Sequence, residues 1–139
     1  MPASELVAAD VAALVDAARQ ARGHALASYS GFAVGAALRC GDGRVFSGCN
    51  IENASYGLTM CAERVALFKA LSEGARSFTA IAVVTGAETP TPPCGACRQL
   101  LWEFCANIHV VLAGVGGVRA EHDLAALLPA PFDGGSLRR

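Results

Sequence analysis

Two short segments of the sequence carry the side chains best suited to chemistry. In CAE, Cys61 and Glu63 lie two positions apart, and in PCGAC, Cys94 and Cys97 flank two small residues. A helical pattern follows each segment, and the free N–H groups and dipole at a helix start favour a thiolate. Three thiolates that converge from two helix starts would bind zinc and leave one coordination position open. Structural zinc sites are closed by a fourth protein ligand, whereas catalytic sites keep that position for water.

Two simpler interpretations of these thiols stay open at this point. One is a structural zinc site that uses a fourth thiol or histidine. Cys105 cannot supply it, because it lies eight residues beyond Cys97 on the same predicted helix, about 12 Å along the axis. The second, a redox CxxC pair, would explain neither Cys61 nor Glu63. The remaining cysteines and histidines share no ligand-like spacing and are interpreted as core or surface residues: Cys40, Cys49, His24, His109 and His122.

The elements that must position these side chains follow from the hydrophobic pattern, which predicts the order α-β-β-α-β-α-β-α. Helices are expected at 6–22 behind an N-cap at Ser4, and at 60–73, 95–106 and 123–128; strands are expected at 32–39, 45–50, 78–85 and 108–112. Gly41-Asp42-Gly43 signals a hairpin, and the unbroken apolar run at 78–85 favours a central buried strand. This order predicts an α/β fold, a three-layer α/β/α sandwich with a mixed sheet. Residues 1–139 are expected to form a single domain.

Composition and charge exclude several classes of protein. Hydrophobic residues make up 53% of the chain and charged residues 17%, against about 25% charged in an ordinary domain, so the chain is not disordered. We expect the extra apolar surface to be buried between subunits. Lys69 is the only lysine, the net charge is −1, and the sequence has no basic run beyond Arg138-Arg139, which argues against a nucleic-acid partner. No signal peptide or membrane span is expected, and the predicted compartment is the cytoplasm.

Taken together, the motifs resemble those of the short, homotetrameric, zinc-dependent cytidine deaminases. The resemblance runs from about residue 5 to 132 and rests on YSGF at 29–32, GCNIENASY at 48–56, CAER at 61–64, PCGACRQ at 93–99 and LLPAPF at 127–132. Ser28 and Pro93 depart from the family's usual residues without touching a ligand position, and residues 133–139 match nothing. The resemblance implies a mixed five-stranded sheet, one zinc ion per subunit and a homotetramer. It also implies hydrolysis of cytidine and 2′-deoxycytidine to uridine, 2′-deoxyuridine and ammonia in pyrimidine salvage.

The same resemblance assigns the metal end of the site. Cys61, Cys94 and Cys97 would hold the zinc ion, which lowers the pKa of a bound water from 15.7 towards about 7. Glu63 would carry protons from this water to ring N3 and to the departing ammonia. Arg64 would hydrogen-bond the thiolates and offset their charge. Taken alone, Glu63 is better explained as a carboxylate that favours a helix start, but the three thiols beside it favour the catalytic role. Without the family, Arg64 fits equally as a surface arginine.

The substrate end is assigned in the same way. Asn50 and Glu52 would bind the ribose hydroxyls, and the Glu52 carboxylate would repel a 5′-phosphate. Phe32 would pack on the base, although an ordinary core position in a strand explains it almost as well. Ala54 and Tyr56 would contact a neighbouring subunit's site, which makes each site composite.

The resemblance implies that Phe132 stacks on the base bound in an adjacent subunit, and Pro129 and Pro131 stiffen the segment so that it can project the ring. A ring that fills its own subunit's core is the alternative. Two further functional hypotheses remain: a deaminase of another cytosine-bearing small molecule, and a binding module that holds zinc without catalysis. The first hypothesis keeps the deamination reaction and changes the substrate, whereas the second involves no reaction.

Overall fold

The computed structural model describes residues 6–137, and these residues form one five-stranded sheet with four α-helices and two short 3-10 turns. In chain order the elements are α1 (Ala8–Arg22), β1 (Val34–Cys40), β2 (Val45–Cys49), α2 (Ala62–Ser72), β3 (Phe78–Thr85), α3 (Gly95–Cys105), β4 (His109–Ala113), β5 (Arg119–Asp123) and α4 (Leu124–Leu127). The strand order is β2-β1-β3-β4-β5, with β3 parallel to β4 and the other neighbours antiparallel. The mixed sheet and its central apolar strand are therefore as predicted.

The helices cover both faces of the sheet and produce the predicted three layers. On one face, α1 buries its apolar stripe against alternate residues of the central strands: Ala37, Ala80, Ala82, Val84 and Val111. On the other face, α2, α3 and α4 enclose a larger core that includes Leu38, Leu67, Ile81, Leu101 and Leu124. Among residues 6–137, no helix has the length and apolarity needed to cross a membrane.

Three local predictions need correction or fall outside the described residues. The hydrophobic pattern missed β5, an edge strand of the mostly polar sequence RAEHD, which is held to β4 by backbone pairing and by a contact between the Glu121 and His109 side chains. Phe32 precedes β1 instead of opening it, since the Asn50 side chain bonds to the Phe32 carbonyl and the Val34 N–H and replaces ladder bonds there. The proposed N-cap at Ser4 lies outside the described residues.

Two glycines set how closely the helices approach the sheet. A Cβ on Gly35 would lie 1.9 Å from the carbonyl oxygen of Ala18 in α1. A Cβ on Gly48 would lie 2.7 Å from the amide nitrogen of Ala66 in α2. Because α2 begins with the CAE segment, the contact at Gly48 also fixes the depth of that segment in the fold.

Candidate metal centre and the adjoining cavity

The three cysteines of the two motifs meet at the starts of two helices. Cys61 is the N-cap of α2 and Cys94 is the N-cap of α3, while Cys97 lies in the first turn of α3. All three Sγ atoms lie within 4.8 Å of one another. Within residues 6–137, no other histidine, cysteine, aspartate or glutamate joins this group, and Cys40, Cys49 and Cys105 lie elsewhere as free thiols.

The donor set and its surroundings fit a zinc ion. Tetrahedral zinc with Zn–S bonds of about 2.3 Å needs sulfurs about 3.8 Å apart, which is compatible with three Sγ atoms that all lie within 4.8 Å of one another. The helix starts stabilise negative charge at the sulfurs. The pKa of Cys61 is lowered to about 5, first by a hydrogen bond from the Cys97 thiol and then by the charge of Arg64. The cluster therefore holds a thiolate readily, which is the form that binds metal.

Arg64 lies one turn into α2 and faces the same sulfurs. Its Nη2 donates to Cys61 Sγ at 3.6 Å. Its Nε is buried without a hydrogen-bond partner among residues 6–137. A hydrogen bond to the Cys97 sulfur and the negative charge of the thiolates raise the pKa of the guanidinium. A partly buried cation is thus held against the metal cluster, where it can compensate a thiolate charge.

Glu63 is buried, with 5% of its surface exposed, and it lines a cavity of about 340 Å³ next to the cluster. Burial raises the pKa of the carboxyl, and the nearby charge of Cys61 raises it further. Cys61 and Cys94 line the same cavity. The carboxyl and two of the clustered sulfurs therefore face a common space that a small molecule can enter.

The same cavity is also lined by three of the residues predicted to bind substrate, Phe32, Asn50 and Glu52. The Asn50 amide is buried, accepts from the Val34 N–H at 2.9 Å and donates to the Phe32 carbonyl at 2.8 Å. These bonds hold the chain that carries the Phe32 ring, which is 41% exposed. An amide has two donors and two acceptor sites, so one of each remains for a ligand.

The other three predicted substrate residues do not line the cavity of their own chain. Ala54 and Tyr56 lie on an exposed segment, where the Tyr56 ring meets the edge of Tyr29 with centroids 5.8 Å apart. Phe132 follows α4 with 61% of its surface exposed, so its ring does not fill the core of its own chain. Its backbone carbonyl accepts a hydrogen bond from the Gln99 amide.

Several residues that shape the site had no role in the sequence interpretation. Arg98 donates from Nε to the Pro93 carbonyl at 2.8 Å and from Nη1 to the Leu127 carbonyl at 2.7 Å, and so joins the Cys94 loop to the end of α4. Thr85 and Thr91 line the cavity, with hydroxyl oxygens 3.2 Å apart. Arg98 stands in the PCGACRQ motif, which was a usable signal, whereas nothing in the sequence marked the two threonines.

Clustered thiols beside a buried carboxylate, both open to one cavity, define a zinc-binding hydrolytic site. Comparisons with known proteins identify its class. The sequence model of the family "Cytidine and deoxycytidylate deaminase zinc-binding region" matches residues 9–113. Cytidine deaminases from Halalkalibacterium halodurans and Sporosarcina psychrophila are 55% and 50% identical over 120 and 124 residues, covering 86% and 88% of this chain and 91% of each relative.

A solved structure agrees with the sequence comparisons. The crystal structure of cytidine deaminase from Burkholderia pseudomallei superposes with a TM-score of 0.85 at 52% identity, covering 87% of this chain and 98% of that one. The chain belongs to the cytidine and deoxycytidylate deaminase family and is a hydrolytic deaminase.

Proposed function

We propose that this protein hydrolyses cytidine and 2′-deoxycytidine at C4 of the base, giving uridine or 2′-deoxyuridine and ammonia, in pyrimidine salvage. One observation carries the proposal: the thiol cluster and buried Glu63 face the same cavity as Phe32, Asn50 and Glu52. This shared lining supports one space in which both the reaction and the recognition of the sugar take place. The cavity volume of about 340 Å³ lies within the range of small-molecule sites.

At the metal end, Cys61, Cys94 and Cys97 hold one zinc ion per chain. When bound, zinc supplies an activated water at neutral pH. Glu63 would take one proton from that water and deliver it to ring N3 while the water oxygen bonds to C4. It would then pass the second water proton to the amine as the C4–N bond breaks, so water and cytidine give uridine and ammonia. Arg64 donates to the ligand sulfurs and limits their negative charge.

At the sugar end, the free donor and acceptor positions of Asn50 and the Glu52 carboxylate bind the ribose hydroxyls, and Phe32 packs on the base. The Glu52 charge disfavours a 5′-phosphate nearby. Its pKa is lowered, first by the hydrogen bond from the Ser30 hydroxyl, so the carboxylate stays charged at neutral pH. This supports a nucleoside over a nucleotide as substrate.

We also propose that residues 1–139 act as one catalytic domain of a homotetramer with composite sites. Support comes from large apolar side chains that the chain leaves exposed, of which Phe32 and Met60 line the cavity: Leu26, Tyr29, Phe32, Ile51, Tyr56, Leu58 and Met60. Ala54, Tyr56 and Phe132 would then contact a neighbour's site, with the Phe132 ring on the neighbour's base. The free thiols suit a reducing compartment, and we assign the protein to the cytoplasm.

A substrate panel tests the reaction. Zinc-loaded protein is assayed by the loss of cytidine absorbance, and then with 2′-deoxycytidine, cytosine, CMP and an aminoacyl cytosine nucleoside. Cytidine and 2′-deoxycytidine should be turned over best. A preference for CMP would contradict the role of Glu52, and a preference for the aminoacyl nucleoside would replace the substrate. A folded, metallated protein that turns over none of them would be a zinc-binding module.

A further inference from the structure

The Ser30 hydroxyl contacts two residues proposed to bind the substrate, the Glu52 carboxylate and the backbone N–H of Phe32. Ser30 Oγ donates to Glu52 Oε2 and accepts from the Phe32 N–H at 3.0 Å. Glu52 Oε1 accepts from the N–H groups of Tyr29 and Ser30, both at 2.9 Å. Ser30 itself lines the cavity. Three donors from one short segment therefore fix the position of the Glu52 carboxylate.

The local backbone is built for this contact. Gly31 has a φ of +69°, in the left-handed region that glycine adopts at little cost, and the turn there brings the Ser30 hydroxyl to the Phe32 N–H. A carboxylate offers about four acceptor positions, and three on Glu52 are filled from within the chain. The remaining position lies on Oε2, the oxygen that Ser30 Oγ holds. The direction of this last position depends on the Ser30 hydroxyl.

We propose that Ser30 is a positioning residue for sugar recognition: its hydroxyl aims the free acceptor of Glu52 at a sugar hydroxyl of the substrate. The inference rests on the proposed function, because it requires Glu52 to bind the sugar. Glu52 is only partly buried, so without the Ser30 hydroxyl the carboxylate would keep its charge and the two N–H bonds to Oε1, but Oε2 would lose the donor that fixes its direction. Sugar recognition would weaken, while the metal and the chemistry at C4 would be undisturbed.

The test compares Ser30→Ala with the unmodified protein on two substrates, cytidine and 2′,3′-dideoxycytidine, which lacks the 2′- and 3′-hydroxyls of the sugar and keeps the 5′-hydroxyl. For cytidine, kcat/KM should fall by roughly tenfold, chiefly through KM, whereas for the dideoxy substrate it should fall by less than about twofold. Ser30→Thr keeps the hydroxyl and should restore most of the loss. Ser72→Ala, which removes an exposed hydroxyl that bonds only to the Lys69 carbonyl, is the matched control and should change neither substrate.

A second comparison separates positioning from general damage. In a Glu52→Ala background, Ser30→Ala should lower cytidine kcat/KM no further, because the group it aims is gone. Equal losses on both substrates, or a full additional loss in the Glu52→Ala background, would overturn the role of Ser30 and leave the deaminase reaction intact. Unmodified, zinc-loaded protein that does not turn over cytidine would overturn the proposed function and this inference together.

Discussion

Gly48→Ala is expected to displace helix α2 and, with it, the catalytic end of the cavity. The new methyl carbon would stand 2.7 Å from the Ala66 amide nitrogen and 2.9 Å from the Ala62 carbonyl oxygen, both backbone atoms of α2. Ordinary contact begins near 3.4 Å, so the helix must withdraw by about 0.7 Å. Cys61 caps this helix and Glu63 lies in its first turn, so both move away from Cys94 and Cys97.

The size of the effect follows from two opposing terms. Overpacking a tight contact typically costs about 1–3 kcal/mol. Replacing glycine with alanine also raises the free energy of unfolding by about 0.4–1 kcal/mol, because it restricts the unfolded chain. The cost of overpacking is the larger of the two effects. The net loss in the free energy of unfolding should be about 1–2 kcal/mol. A displacement approaching 1 Å at a catalytic group can reduce the rate by about 10²-fold, so kcat/KM should fall by roughly ten- to a hundredfold.

Chemical denaturation, zinc content and kcat/KM per zinc-loaded chain measure these effects. Gly57→Ala is the neutral control, because a Cβ there meets nothing within 4 Å. Gly35→Ala is the control that introduces a similar clash away from the cavity. Its clash is with α1, which contributes no residue to the cavity. It should lower stability at least as much and leave turnover per zinc-loaded chain nearly unchanged. The reasoning is refuted if Gly48→Ala loses stability but retains unmodified zinc affinity and kcat/KM.

Three further predictions test the proposed roles. Glu63→Gln should keep its zinc, because the side chain is no ligand, and should lose turnover by about 10³-fold or more; elemental analysis showing lost zinc would contradict this role. Cys94→Ala should lose metal and stability together, because metal binding and folding are coupled; one tightly bound zinc per chain would remove Cys94 from the ligand set. Phe132→Ala should lower kcat/KM modestly, since a ring contact is worth about 0.5–1.5 kcal/mol beyond its buried area. Mixed oligomers of Phe132→Ala and Glu63→Ala should exceed the mean activity of the parents if the ring acts in a neighbour, and should match that mean if it acts in its own chain.

Much of the fold could be predicted because strong periodicity coincides with burial. The run at 78–85 became the central strand, and the pattern after CAE became α2. The strand β5 could not be predicted, because it lies at the sheet edge, where backbone pairing with β4 holds a polar sequence. Periodicity reports side-chain burial, and at such an edge few side chains are buried.

The candidate site likewise contains one feature that could be predicted from the sequence and others that could not. The spacing of Cys61, Cys94 and Cys97 was enough to predict a cluster, because helix starts converge on one edge of the sheet. The bonds from Ser30 to Glu52 and from Arg98 to two distant carbonyls could not be predicted. They depend on how a glycine turn and the C-terminal segment are oriented, which no local pattern encodes.

The two ends of the cavity are supported by different parts of the molecule. Ala62 and Glu63 are buried and belong to a helix packed on the core, whereas Ser30 and Glu52 lie on connecting segments at or near the surface. Replacements in a core cost stability, whereas replacements in surface segments usually cost little. Under the proposed function, substitutions in the surface segments can therefore change how the sugar is bound, while the buried helix that carries Glu63 stays unchanged. Changes in nucleoside preference should arise from few substitutions, and selection or engineering for altered sugars should begin at residues 26–32 and 51–60.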